Sequence, residues 1–340
     1  MRPVLLPPNA VPRFYRGGPA IAAWRGSEPV GDRVPEDWVG SMTTVFGEKE
    51  LGLSRLPDGR LLRDAAAADP VAFFGPEHAA RHGADPGMLV KLLDAGERLP
   101  VHVHPDSQAA RELLGSPYGK TEAWIVVATA GPEASVSVGF REDVGAETLA
   151  GWVRDQDRRA MLDALNSFAV RAGDAIFVPA GVPHVIGEGV LVVEVQEPSD
   201  LSMLLEWRGF ETSDADEATL GLGWEAVLRC VELARRDPAQ LRAARGDGNG
   251  GVGSLLPPEA DRFFRAERLA PSPAATLERG FAILVVAEGS GGLHCGDGDS
   301  IQLRRGDAVL VPWVAGECQL EGELVAIACR PPAPDERGAA

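Results

Sequence analysis

Apolar residues come in short runs along most of the chain, and many of the runs are β-branched. They include "AWIVVAT" (123–129), "SVSVGF" (135–140), "AIFVPA" (175–180) and "VLVVEVQ" (190–196), with Gly and Pro between them. Short β-rich runs punctuated by turn residues predict an antiparallel sandwich or barrel rather than alternating βαβ units. Two segments depart from this pattern. In "AETLAGWVRDQDRRAMLDALNSF", Leu149, Trp152, Val153, Met161, Leu162, Leu165 and Phe168 recur at helical spacing, which predicts a helical insertion over about 145–169. "TLGLGWEAVLRCVELARRDPAQLRAA", from Thr219, predicts a connecting helix, and "RGDGNGGVGS" (245–254) a Gly-rich linker.

The chain also echoes itself. "GDAIFVPAGVPH" begins at Gly173 and "GDAVLVPWVAGE" at Gly306, each just after a basic residue, Arg171 in one case and Arg304 with Arg305 in the other. A strand-entering turn used twice predicts two similar β-domains. The expected organisation is a first domain over 1–215, a connecting helix and linker over 216–254, and a second domain over 255–335.

Composition narrows the function. A formal charge of −17 argues against nucleic acid and anionic membrane as partners, while leaving room for a small anionic substrate. Cys230, Cys295, Cys318 and Cys329 form no CxxC pair and suggest no disulfide framework, so a reducing cytoplasm is expected. "MRPVLLPPNAVPRFYRGG" lacks the apolar core of a leader, and no stretch approaches the roughly 18 apolar residues of a membrane span.

Candidate chemistry concentrates in "GERLPVHVHPDSQ" (96–108). Residues two apart on a strand share a face, so His102 and His104 point the same way. Gly96, His102 and His104, followed later by Gly173, Pro179, Gly181 and His184, resemble the two half-motifs of the cupin superfamily. That resemblance implies a bicupin: mainly β, two double-stranded β-helix (jelly-roll) domains, with the ligands on strands inside the barrel. Glu122, directly before a β-run, supplies a carboxylate to His102, His104 and His184. Three imidazoles and one carboxylate suit Zn, and Fe, Mn or Ni as well. In the second repeat Glu317 stands where the first has His184, and His294 lacks a partner histidine, so the second domain is expected to be metal-free. His78, His82 and His294 are expected to be ordinary surface or core residues.

Several longer segments, in order, resemble the short bacterial form of the class I mannose-6-phosphate isomerases. They are "PEDWVGSMTTVFGEKELGLSRLPDGRLLRD", "MLVKLLDAGERLPVHVHPDSQ", "YGKTEAW" and "FVPAGVPHVIGEGVLVVEVQEPSD", followed by the final part of the chain. The resemblance implies a zinc-dependent aldose–ketose isomerase converting mannose 6-phosphate to fructose 6-phosphate through a cis-enediol. It places Lys120, Glu194 and Asp200 among the catalytic residues and Lys91 in substrate binding. Glu194 fits two roles equally, direct catalysis or orientation of a metal-bound histidine. Three positions depart from the family: His102 replaces a usual Gln, Pro100 replaces a serine that helps hold phosphate, and Leu204 replaces an arginine. Arg208 is the expected substitute for that arginine. The substrate is thus a sugar phosphate or a free sugar. A metal-dependent dioxygenase and a sugar-binding bicupin without turnover remain as alternatives.

Overall fold

The computed structural model describes residues 1–212, 214–242, 251–296 and 298–333, the side chain of Asp299 excepted. Three antiparallel sheets organise these residues. One has six strands in the order Ala10–Val11, Glu36–Val39, Leu89–Asp94, Val190–Gln196, Glu122–Thr129 and Ala175–Val178. A second has five, in the order Met203–Leu204, His102–Val103, His184–Ile186, Ser135–Phe140 and Leu165–Ala169. Leu93, Trp124, Val126, Ile176 and Val192 of the first pack with Val136, Val138 and Ile186 of the second, so the two sheets form a sandwich.

The strand "VLVVEVQ" explains how the site arises inside it. Its alternate residues Val190 and Val192 enter the sandwich core, while Leu191, Val193 and Val195 face a different core. Burial on both faces accounts for the nearly continuous apolar run. Glu194 and Gln196 therefore fall on the inner face, and the strand turns polar where the interior becomes the site. On the outer face, Leu191, Val193 and Val195 share a core with Ile283, Val285, Leu310 and Ile327 of the C-terminal sheet.

That third sheet has eight strands. Its long strands Ala282–Cys295 and Cys318–Arg330 pair along their length, with a register shift between Val286 and Glu288. The repeat seen in the sequence is a repeated turn. Asp174 Oδ2 accepts from Arg171 N, and Asp307 Oδ2 accepts from Arg304 N, at 2.9 Å in both cases. Gly173 and Gly306 adopt φ of 88° and 92°, and donate to Val126 O and Val286 O at 2.9 Å. Only a residue without Cβ takes that conformation at no steric cost, which explains why both copies begin with Gly.

Several expectations are corrected. The segment 145–169 is not helical throughout. Helices Ala146–Asp155 and Arg158–Ala164 end where Leu165–Ala169 becomes an edge strand. Asp157 caps the second helix by accepting from Ala160 N, and Gln156 turns the chain at φ 54°. The connecting helix is three short ones, Ala215–Ala218, Trp224–Arg229 and Pro238–Leu241, interrupted by Gly221, Gly223 and Pro238. Residues 245–250 of the expected linker lie outside the described residues, and Val252–Ser254 is a strand paired with Arg265–Leu269. Val4–Leu5 belongs to the C-terminal sheet, pairing with Val309 and Leu310.

Cys295 and Cys318 form a disulfide, contrary to the expectation of none. The two residues face each other in register with Cα atoms 4.2 Å apart. Strand register brings them together, and cysteine spacing does not encode register. The cysteine usage therefore no longer supports a reducing compartment.

Candidate metal centre and its pocket

His102, His184 and Leu204 lie at one register position across three strands, His102 pairing with both of the others. His104 follows immediately, where Pro105 ends the strand. The three imidazoles are buried, and one nitrogen of each lies within 4.8 Å of those of the others. Each ring is held from behind by a backbone carbonyl. Nδ1 of His102 donates to Pro100 O at 2.9 Å, that of His104 to Leu201 O at 2.8 Å, and that of His184 to Val182 O at 2.8 Å. These bonds place the proton on Nδ1 and leave each Nε2 lone pair available, as in metal-ligating histidines.

Glu122, the first residue of its strand, comes from the opposite sheet. Its Oε1 accepts from Trp124 Nε1 at 2.9 Å and lies 3.3 Å from His184 Nε2, and its Oε2 is 3.1 Å from His104 Nε2. Lys120 Nζ sits 2.9 Å from Glu122 Oε2 and 3.0 Å from His104 Nε2. The donor set thus attracts a cation from within the chain. Gly119 permits this: a Cβ there would stand 2.5 Å from Asp106 C and 2.6 Å from Pro105 O. Glu197 fixes the same loop, accepting from Thr121 N at 2.8 Å and Ser107 Oγ at 3.0 Å.

The electrostatics favour a bound cation. Burial, followed by His184, lowers His102 well below the usual histidine range. Burial likewise lowers His104 and His184, each to about 3, so all three rings are neutral at physiological pH. Burial alone would raise Glu122, but Lys120 and His104 hold it well below the carboxylate range. His184 Nε2 is buried without a hydrogen bond, and Glu122 Oε2 is met through the Lys120 ammonium at 2.9 Å. Such an unpaired atom is costly unless something satisfies it, and a divalent ion among these donors would do so. The residues present fit a metal ion of the kind the sequence implies.

Beside this centre lies a chamber of about 30 Å³, lined by Arg13, Glu36, Lys91, Lys120, Glu122 and Glu194 among others. Lys91, buried beneath it, lies 3.4 Å from Glu194 Oε1 and 3.6 Å from Glu36 Oε2. Burial and the neighbouring Glu122 push Glu194 up to about 7, against the pull of Lys91. Glu36 behaves oppositely: burial would raise it, but Lys91 and Arg13 bring it to about 2. It also accepts from Tyr15 Oη and from Trp38 Nε1.

The chamber meets an outer cleft of about 440 Å³, with which it shares Arg13, Phe14, Ser202 and Leu204. Only the cleft falls within the roughly 300–1,000 Å³ of small-molecule sites. Asp200 lines the cleft, not the chamber, and binds Arg13 through both oxygens at 2.9 and 3.0 Å while accepting from Phe46 N at 3.1 Å.

The structure therefore brings Lys91, Lys120 and Glu194 to one chamber with His102 and Glu122, and places Asp200 at its mouth. It does not bring Arg208 there. That side chain is exposed, with its guanidinium 5.4 Å from the ring centroid of Trp207, and lines neither cavity. The strand before it ends at Leu204, so strand periodicity does not carry to 208. Arg13, Tyr15 and Glu36 are the residues that sequence reasoning missed. Arg13 and Tyr15 lie on an irregular stretch with no motif, and only the Glu36–Trp38 alternation hinted at an inward carboxylate.

The fold is of the cupin type, a β-sandwich whose interior holds three histidines placed to bind a metal, with Glu122 against two of them. In sequence the chain is related to the mannose-6-phosphate isomerases. It is 28% identical over 251 residues to that of Streptococcus mutans, covering 71% of this chain and 73% of the relative. It is 26% identical over 239 residues to a Bacillus subtilis mannose-6-phosphate isomerase, covering 69% and 72%. No family model matches the chain. The fold is that of the mannose 6-phosphate isomerase structure from Bacillus subtilis, at a TM-score of 0.80 and 22% identity, covering 97% of this chain and all (100%) of the other. A variant phosphomannose isomerase from Salmonella typhimurium aligns at 0.79 and 16% identity, covering 98% and 100%.

Proposed function

We propose that this chain is a metal-dependent aldose–ketose isomerase of the mannose-6-phosphate isomerase type. The observation that carries the proposal is the donor set of His102, His104, His184 and Glu122, with Lys120 and the buried Glu194 beside it. Zinc suits these donors, and iron, manganese or nickel is served by the same set. When bound, a divalent ion supplies electrophilic stabilisation of negative charge developing on the sugar oxygens.

The chain's own groups have separable tasks. The reaction removes the proton at C2 of the aldose, protonates O1 to give a cis-enediol, then returns a proton to C1 as O2 loses its own. Glu194 is assigned the carbon-bound proton, because a carboxylate held near neutrality can both take and return one. Lys91, in register with Glu194 on the next strand, orients it. Lys120 steadies the enediolate oxygen through its ammonium. Asp200, held by Arg13, is a positioning residue. Mannose 6-phosphate is the substrate named by the relatives, and the chemistry at C1 and C2 is common to it and the free sugar. A cytoplasmic setting belongs to the same proposal. Among the described residues no helix is long and apolar enough to cross a membrane.

The test is proton exchange. Metal-loaded full-length protein in D₂O is expected to incorporate deuterium at C1 or C2 of mannose and fructose, free or 6-phosphorylated, while interconverting aldose and ketose. Absence of both exchange and interconversion on all four sugars would remove the isomerase assignment.

A further inference from the structure

Chamber and cleft meet at a neck formed by Arg13, Phe14, Ser202 and Leu204, of which Arg13 alone is charged. From its place there and its unused donors we infer that Arg13 is the specificity-determining residue that receives the phosphate of a sugar phosphate substrate. This role rests on the isomerase proposal above and concerns the unreactive end of the same substrate.

The two cavities fix the path of that substrate. The chamber, at about 30 Å³, is too small for a six-carbon sugar. With C1 and C2 at the donor set, the rest of the molecule extends through the neck toward the cleft of about 440 Å³. The other ionisable residues lining the cleft are acidic, Asp200, Asp216 and Glu217, so the neck is where a dianion meets a cation. Lys91 and Lys120 line the chamber, where Lys120 stands 2.9 Å from Glu122 at the reacting end. Arg98 is held through both terminal nitrogens by Glu206 and, like Arg208, lines neither cavity. Leu204 is in register with His102, so the strand beside the donor set brings no cation to the neck.

Arg13 is prepared for an anion. Its Nη1 and Nη2 each donate to one oxygen of Asp200, at 2.9 and 3.0 Å, and Asp200 is anchored in turn by Phe46 N at 3.1 Å. A guanidinium carries five N–H donors, of which Asp200 takes two. Nε–H is among those left: it is buried without a hydrogen bond, with Glu36 Oε1 3.5 Å away. A planar cation fixed along one edge, with donors to spare on another, offers a phosphate charge-assisted bonds at little ordering cost. Asp200 stays in place as the holder, and its pair with Arg13 is not broken.

The experiment uses the metal-loaded full chain. Inorganic phosphate is expected to compete with mannose 6-phosphate in the native protein. Arg13→Gln is expected to raise both the KM for mannose 6-phosphate and the inhibition constant of phosphate by about 10–100-fold, with kcat changed far less. Arg13→Lys keeps the charge but loses the planar fork, and its values are expected to fall between. If Arg13→Gln fails to fold because Asp200 is left unpaired, combining it with Asp200→Asn removes that carboxylate, and the same rise is expected. Absence of competition by phosphate in the native protein, unchanged constants in the variants, or a loss confined to kcat would overturn the inference while leaving the isomerase proposal standing. If no sugar turns over, the isomerase proposal itself fails. Calorimetric titration with D-mannitol 6-phosphate, which has no carbonyl to isomerise, then still decides the role of Arg13: weaker binding to Arg13→Gln by about 10–100-fold supports it, and equal binding refutes it.

Discussion

Lys91 and Glu194 occupy the same register position on adjacent strands, with Lys91 Nζ 3.4 Å from Glu194 Oε1. Despite this cation, Glu194 titrates near neutrality, because burial and Glu122 outweigh it. A carboxylate so placed suits proton transfer between carbon atoms. Glu194→Gln is expected to lower kcat by about 10²–10⁴-fold with little change in bound metal. A cation at Glu122 offsets part of what raises Glu194, so in the metal-loaded enzyme kcat/KM is expected to fall along an acid limb lying between its ordinary 4.5 and about 7. A pH–rate profile with no acid limb near there would exclude Glu194 as the base.

The same residue should cost stability. Its folded pKa of about 7 lies above its ordinary 4.5, so its contribution turns unfavourable as pH rises through that interval. Glu194→Gln is therefore expected to unfold at a higher temperature than the native chain at pH 7. An unchanged or lower Tm would contradict this.

Acid should act on the metal-free protein through the histidines. His104 and His184 fall from 6.5 to about 3 on folding, and His102 falls well below its usual range. The unfolded chain then binds more protons between those limits, and stability declines as pH falls from about 6.5 toward 3. Three histidines outweigh the opposing Glu194 in this window. Denaturant titrations at pH 7 and 5 on chelated protein are expected to show the loss, and added zinc should raise stability most at the higher pH.

Metal binding is expected to require the histidine cluster. His184→Ala should reduce tightly bound divalent metal from about one per chain to well below that, and abolish the rise in Tm on adding zinc. Elemental analysis and thermal unfolding of the same preparations check both. Full occupancy in the variant would place the metal elsewhere.

The disulfide joins residues 23 apart in the sheet away from the donor set. Replacing Cys295 and Cys318 by Ser is expected to cost about 2–4 kcal/mol, the usual worth of a disulfide. Isomerase kcat should be unaffected. Alkylation of both thiols in the non-reduced native chain would show that they are not joined.

The candidate donors were legible because each lies in a short motif. His102 and His104 share one strand, His184 ends a turn, and Glu122 opens a β-run. Lys91 and Glu194 were reached through family resemblance, and strand register explains why both enter the chamber. Arg13 was invisible because its partner Asp200 lies far along the chain and no periodicity links them. Arg208 failed for a local reason: the strand is two residues long, and the chain leaves it before the expected inward position. Leu165 and Phe168 misled similarly, since their apolar spacing continues a helix pattern into an edge strand.

The pairing of Val4–Leu5 with Val309–Leu310 bears on how the polypeptide is assembled. These partners lie about three hundred positions apart in the sequence. Contacts of such span are slow to form. Separated from the other two sheets, the C-terminal sheet would lack an edge strand and expose the face bearing Ile283, Val285 and Leu310. The C-terminal sheet is thus tied to the rest of the chain by its edge strand and by that shared core.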